Sequence, residues 1–219
     1  LDTAWGHDDL TAVATMGADA VLLPKVESAD AVHQAEDIMG TAGAPDELSV
    51  WCMMETALGM LHAEEISHAS PRVGALVMGT SDLAKDLQCA HTPDRIPFMT
   101  SLGLCMLAAR AAGIGILDGV HLNLDDDEGF KDSCKQGAEL GFDGKTLIHP
   151  KTIDAANKIF APSKDVIEWS EKIIAAHAEA AKEGKGIVVV DGQLIENLHV
   201  LNAERLVAMS KAIEELAAG

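Results

Sequence analysis

Short runs rich in Val, Leu and Ile recur along the chain, and each is followed by a longer stretch whose apolar positions return every three or four residues. That alternation predicts parallel strands joined by crossover helices. Five strands are expected, at Ala20–Val26 (AVLLPKV), Leu48–Glu55 (LSVWCMME), Val73–Gly79 (VGALVMG), Gly115–His121 (GILDGVH) and Lys145–His149 (KTLIH). All are mostly apolar, as strands covered on both faces should be. The intervening helices are expected at Ala29–Met39, Met60–His68, Pro97–Ala112, Glu128–Leu140 and Lys151–Phe160. The pattern then changes. Ser163 reads as the N-cap of a long helix from Lys164 to Lys182, with Gly184 as its stop signal. In GIVVVDGQLIE, Asp191-Gly192 between apolar runs predicts a two-residue hairpin, and a last helix runs from about Leu198 to Ala217.

Successive βα units predict a (β/α)8 TIM barrel, which takes roughly 250 residues when complete. Leu1–Met16 reads as a loop and helix with no strand before it. The expectation is therefore a barrel lacking its first three βα units in this chain. Residues 1–162 would carry strands four to eight, and residues 163–219 a C-terminal helix, hairpin and helix. The rival is an open five-stranded doubly wound sheet.

Composition narrows the partners. The chain has 35 acidic against 16 basic side chains, a formal charge of −19, which repels nucleic acid and anionic membrane surfaces. A small anionic substrate would need a locally positive or metal-bearing pocket. Cys52, Cys89, Cys105 and Cys134 are far apart and lack zinc-ligand spacing, which fits a reducing cytoplasmic compartment. No apolar run approaches the roughly 18 residues that span a bilayer, and the first residues lack the layout of a signal peptide.

Active-site residues of a barrel lie at the C-terminal strand ends. Here those ends carry Lys25 and Glu27, Glu55, Gly79-Thr80-Ser81-Asp82, Asp118 and His149. Glu55 and Asp82 are each the first acid after a buried strand. Adjacent strands lie about 4.8 Å apart, so the two carboxylates repel unless one is protonated or a cation lies between them. Magnesium, which takes one or two protein carboxylates and fills its shell with water and substrate, suits the pair. The structural alternative makes Asp82 an N-cap and Glu55 a solvated strand end. Lys25 and Asp118 face the mouth, where they would orient Glu55 or a substrate carboxylate. His149 either lines the pocket or bonds a backbone group. Asp125–Glu128 and His7-Asp8-Asp9 read as helix starts rather than metal sites.

The segments PKVESADAV, METALGMLHAEEI, GALVMGTSDLAKDL, ILDGVHLNLDDDEGF and GFDGKTLIHPKTIDAANKIFAPS, in this order, resemble the citrate lyase β-subunit/malyl-CoA lyase branch of the HpcH/HpaI aldolase family. The resemblance implies a (β/α)8 barrel that uses Mg²⁺ to make or break a C–C bond beside a CoA thioester. It places the metal ligands at Glu55 and Asp82, and the oxo-acid carboxylate on backbone N–H groups around Gly79, Thr80, Ser81 and Asp82. It assigns a catalytic acid to Asp191, acting on the site of a neighbouring subunit in a homo-oligomer, a trimer or hexamer. It also implies an Arg on the family's third strand, upstream of Leu1. The expected activity is cleavage or formation of a β-hydroxyacyl-CoA of malyl-CoA type, with acetyl-CoA and an oxo acid such as glyoxylate. The alternatives are (3S)-malyl-CoA thioesterase and citryl-CoA lyase.

Overall fold

The five apolar runs form one parallel sheet, in a computed structural model that describes residue 1 and residues 3–218. The strands are β1 (Ala20–Leu23), β2 (Ser49–Met54), β3 (Val73–Met78), β4 (Gly115–Asp118) and β5 (Gly144–Lys145). A second, antiparallel sheet holds β6 (Ile187–Val190) and β7 (Gln193–Glu196). The helices are α1 (Gly6–Val13), α2 (Ala29–Ala42), α3 (Ala57–Leu61), α4 (Ala63–Ser67), α5 (Thr80–Asp86), α6 (Met99–Ala112), α7 (Asp127–Leu140), α8 (Ile153–Phe160), α9 (Lys164–Lys182) and α10 (Asn197–Ala218). The chain divides into two compact units, Leu1–Ala156 and Asn157–Gly219, with the division inside α8.

The parallel sheet runs β1-β2-β3-β4-β5, each strand beside its sequence neighbour. A doubly wound sheet reverses direction at a switch point. This one does not, so the open doubly wound arrangement is set aside. Every residue of β3 except the half-buried Gly74 is buried, whereas β2 alternates between buried Val50, Cys52 and Met54 and half-buried Ser49, Trp51 and Met53. Val32, Ala35, Met39, Ile66, Leu83, Phe98, Leu102 and Cys105, together with these strands, build the core of the first unit.

Four helices start behind short polar side chains. Ser28, Thr56, Asp126 and Ser163 each accept a backbone N–H three residues on, which satisfies a donor that the helix itself leaves free. Gly43, Gly113 and Gly141 end α2, α6 and α7 in the left-handed conformation.

Several elements depart from the sequence expectation. The helix expected over Met60–His68 is instead α3 and α4, broken at His62, whose Nδ1 bonds the Glu27 carbonyl at 2.7 Å. The last strand stops at Lys145, not His149, because its neighbour β4 ends at Asp118 and offers nothing further to pair with. His149 is extended and its ring accepts the Lys151 N–H at 3.1 Å, opening a 3-10 turn over Pro150–Thr152. Helix α5 begins at Thr80, so Asp82 lies in its first turn, and the residue at the N-cap is Gly79.

In the second unit α9 and α10 pack on each other and on the hairpin. Ile173, Val190, Ile195, Val200 and Ala203 form its small core, with Trp169, Ile174, Ala176 and Val188 against it. Asp191 and Gly192 form the hairpin turn with φ of 47° and 80°, the positive values a type I′ turn requires at both central residues.

Candidate active site

Glu55 follows β2 and Asp82 follows β3, which pair side by side, so the chain brings the two carboxylates to the same edge of the sheet. Glu55 is 6% exposed, while the Asp82 side chain is about half exposed. Lys25, just beyond β1, links them. Its backbone N–H donates to Oε1 of Glu55 at 2.9 Å, and its ammonium donates to Oδ2 of Asp82. The backbone geometry that allows both is left-handed, with Lys25 at φ 50°, a conformation disfavoured by its Cβ and found where a site constrains the chain.

Charge follows geometry. Burial lifts the Glu55 carboxyl above its ordinary range, opposed by the Lys25 N–H and ammonium and reinforced by the negative charge of Asp82. The Lys25 hydrogen bond holds Asp82 below its ordinary range, and the same bond raises Lys25. The ammonium thus stands where a cation is wanted. Two hard carboxylate oxygen donors at adjacent strand ends fit magnesium, which completes its shell with water and substrate oxygens. Among the described residues no group of three or more His, Cys, Asp and Glu side chains gathers as a metal cage. Magnesium needs none.

Gly79 contributes room. A Cβ there would lie 2.5 Å from Cβ of Glu55 and 2.6 Å from its Oε2. Its own N–H is taken by the Met54 carbonyl at 2.9 Å. Thr80, Ser81 and Asp82 open α5, where backbone N–H groups have no partner within the helix. Asp191 belongs to the second unit, where its Oδ2 accepts the Lys172 ammonium at 2.5 Å. His149 caps its turn, and Asp126 caps α7, as a reading of that acidic run as a helix start anticipates.

Asp118 differs from its sequence reading. It is fully buried and does not bond Glu55; Arg95 Nη1 donates to both its oxygens at 2.6 and 2.7 Å, and Lys145 Nζ donates at 2.8 Å. Arg95 was not singled out from the sequence. Its position in HTPDRIP, between two prolines, reads as exposed loop, and only the lone buried acid at the end of β4 hinted at a hidden cation.

The model of the HpcH/HpaI aldolase/citrate lyase family matches residues 1–150. The chain belongs to that family. Within the HpcH/HpaI family it is 48% identical, over 97% of its length and 72% of the relative's, to a (3S)-malyl-CoA thioesterase of Cereibacter sphaeroides. It is 35% identical to the citrate lyase subunit beta of Leuconostoc mesenteroides, with the same coverage. Among solved structures, the CitE protein of Mycobacterium tuberculosis in complex with magnesium, acetoacetate and coenzyme A superposes with a TM-score of 0.78. That match has 28% identity and covers 96% of this chain and 75% of the other. No helix among the described residues is long and apolar enough to cross a membrane.

Proposed function

We propose that this chain hydrolyses a CoA thioester of malyl-CoA type at a magnesium site formed by Glu55 and Asp82, releasing the free hydroxy acid and CoA. The observation that carries substrate and reaction is the 48% identity to a malyl-CoA thioesterase across almost the whole chain. The metal rests on the paired carboxylates and on relatives solved with magnesium.

Magnesium bound there would supply Lewis acidity and a template for the substrate. Glu55 and Asp82 would hold it, with the Lys25 N–H keeping Glu55 in orientation and its ammonium released from Asp82. Gly79 leaves space beside Glu55, and the N–H groups of Thr80, Ser81 and Asp82 receive the substrate carboxylate. Hydrolysis joins a water oxygen to the thioester carbonyl carbon and breaks the C–S bond. Asp191 of a partner subunit, in a trimer or hexamer, takes the proton from that water and returns it to the leaving CoA sulfur. The five strands are read as strands four to eight of a (β/α)8 barrel over residues 1–162, with 163–219 as the extension. Their unbroken sequential parallel order supports that reading.

The second reading is carbon–carbon cleavage, favoured by the relationship to citrate lyase subunit beta. The same ligands would hold a β-hydroxyacyl-CoA while its hydroxyl loses a proton. The C–C bond then breaks to an oxo acid such as glyoxylate, and the enolate carbon gains a proton to give acetyl-CoA. Product analysis of the intact protein with malyl-CoA and magnesium separates the two. Malate and free CoA in equal amounts support hydrolysis. Glyoxylate with acetyl-CoA transfers the assignment to the lyase, and neither set of products overturns both.

A further inference from the structure

Arg95 lies in the loop between α5 and α6 with a left-handed backbone, φ 56°, a conformation uncommon for a residue with a Cβ. Its side chain is 5% exposed. Nη1 is taken by Asp118 and Nε donates to Oε1 of Gln136 at 2.5 Å, but the buried Nη2 meets no acceptor among the described residues. Lys145, whose side chain is 1% exposed, shares the same Asp118. Arg95 and Lys145, whose ammonium burial pushes below its ordinary range, place more positive than negative charge around Asp118, in a chain whose formal charge is −19. Buried charge without a partner is strongly unfavourable, so an excess of this sign calls for an anion.

A second orphan lies nearby. Nε2 of His121 is also buried without a partner among the described residues. Arg95 and His121 both wall one cleft of about 620 Å³, with Thr80, His91, Asn123 and Gln136. Beyond partial desolvation, Arg95, His121 and Lys145 all push His91 below its ordinary range. Three exposed aspartates also line the cleft, but two are engaged locally. Asp94 accepts the Thr92 hydroxyl and the Ile96 N–H, and Asp126 accepts the Gly129 N–H; Asp132 stands on the exposed face of α7.

We propose that this cleft is a second binding site, for an oxyanion of carboxylate or phosphate type, received by Nη2 of Arg95 and Nε2 of His121. Thr80 lines the cleft and follows Gly79 at the head of α5, so the site shares a wall with the Glu55 and Asp82 centre without using either ligand. It does not depend on which reaction that centre performs.

The test is calorimetric titration of the intact, magnesium-free protein with inorganic phosphate and, separately, with malonate. At least one should bind saturably. Arg95→Lys and His121→Phe should each weaken it about tenfold or more, the loss of one charge-assisted hydrogen bond, while Asp82→Ala leaves it unchanged. His121→Phe keeps a ring in place and carries the test if Arg95→Lys fails to fold. Absence of saturable binding, or binding unchanged in His121→Phe, overturns the proposal. Binding lost in Asp82→Ala but kept in His121→Phe also overturns it, by placing the anion on the metal centre. Competition with CoA then identifies the source. Displacement points to a phosphate of the thioester substrate and its absence to a free small anion, and either result keeps the site.

Discussion

Asp118 closes β4 and Glu55 follows β2, on the two sides of β3 in one sheet, yet the structure treats these buried acids in opposite ways. Asp118 is saturated: Arg95, Lys145 and the Gly119 N–H occupy its oxygens. Glu55 accepts one backbone N–H, and its neighbour Asp82 accepts one exposed ammonium. A carboxylate whose lone pairs are filled by protein donors holds the fold together, whereas a pair left short of donors can ligate something else. Burial alone does not separate the two roles. The count of donors does.

Three measurements test that contrast, the largest effect first. Asp82→Ala should reduce magnesium-dependent turnover by about 10³-fold or more, while loss of the exposed Lys25–Asp82 pair should leave stability nearly unchanged. Activity assays beside urea denaturation check both halves, and retained turnover would remove Asp82 from the metal site. Asp118→Asn should do the reverse, destabilising the protein by about 3–5 kcal/mol because it strands two buried cations. A small change in the denaturation midpoint would show that the cluster is not the staple described.

The third effect is a pH dependence. Burial raises Glu55 above its ordinary 4.5, and Lys25 lowers Asp82 below its ordinary 3.8. As pH falls, Glu55 takes up its proton first, and a protonated carboxyl is a poor metal ligand. Magnesium affinity, measured by titration at a series of pH values, should begin to fall above 4.5, while Asp82 is still ionised. An affinity constant through that range would contradict the assignment of Glu55.

The sequence made some of this legible. Apolar runs mark where each strand begins, Ser163 marks a helix start, and the acids after β2 and β3 fall together because adjacent parallel strands bring their ends together. The strand ends were less legible: β5 is two residues long because pairing depends on a neighbour's length, which its own residues do not encode. The start of α5 at Thr80 likewise has no capping side chain to mark it. Arg95 was hidden for a different reason. A charged residue among prolines looks solvated until the fold shows Asp118 beneath it, and long-range ion pairs leave no periodic trace in the chain.

Lys25 reaches both candidate metal ligands, one through its backbone and one through its side chain. The carboxylates therefore bring their own counter-charge, and the chain can fold without waiting for an ion. If these acids hold the metal, loading the site would be an exchange, in which an arriving divalent cation outcompetes a tethered monovalent one. Its affinity would then be a difference between two interactions, and this lysine would set the threshold of metal concentration at which the site fills.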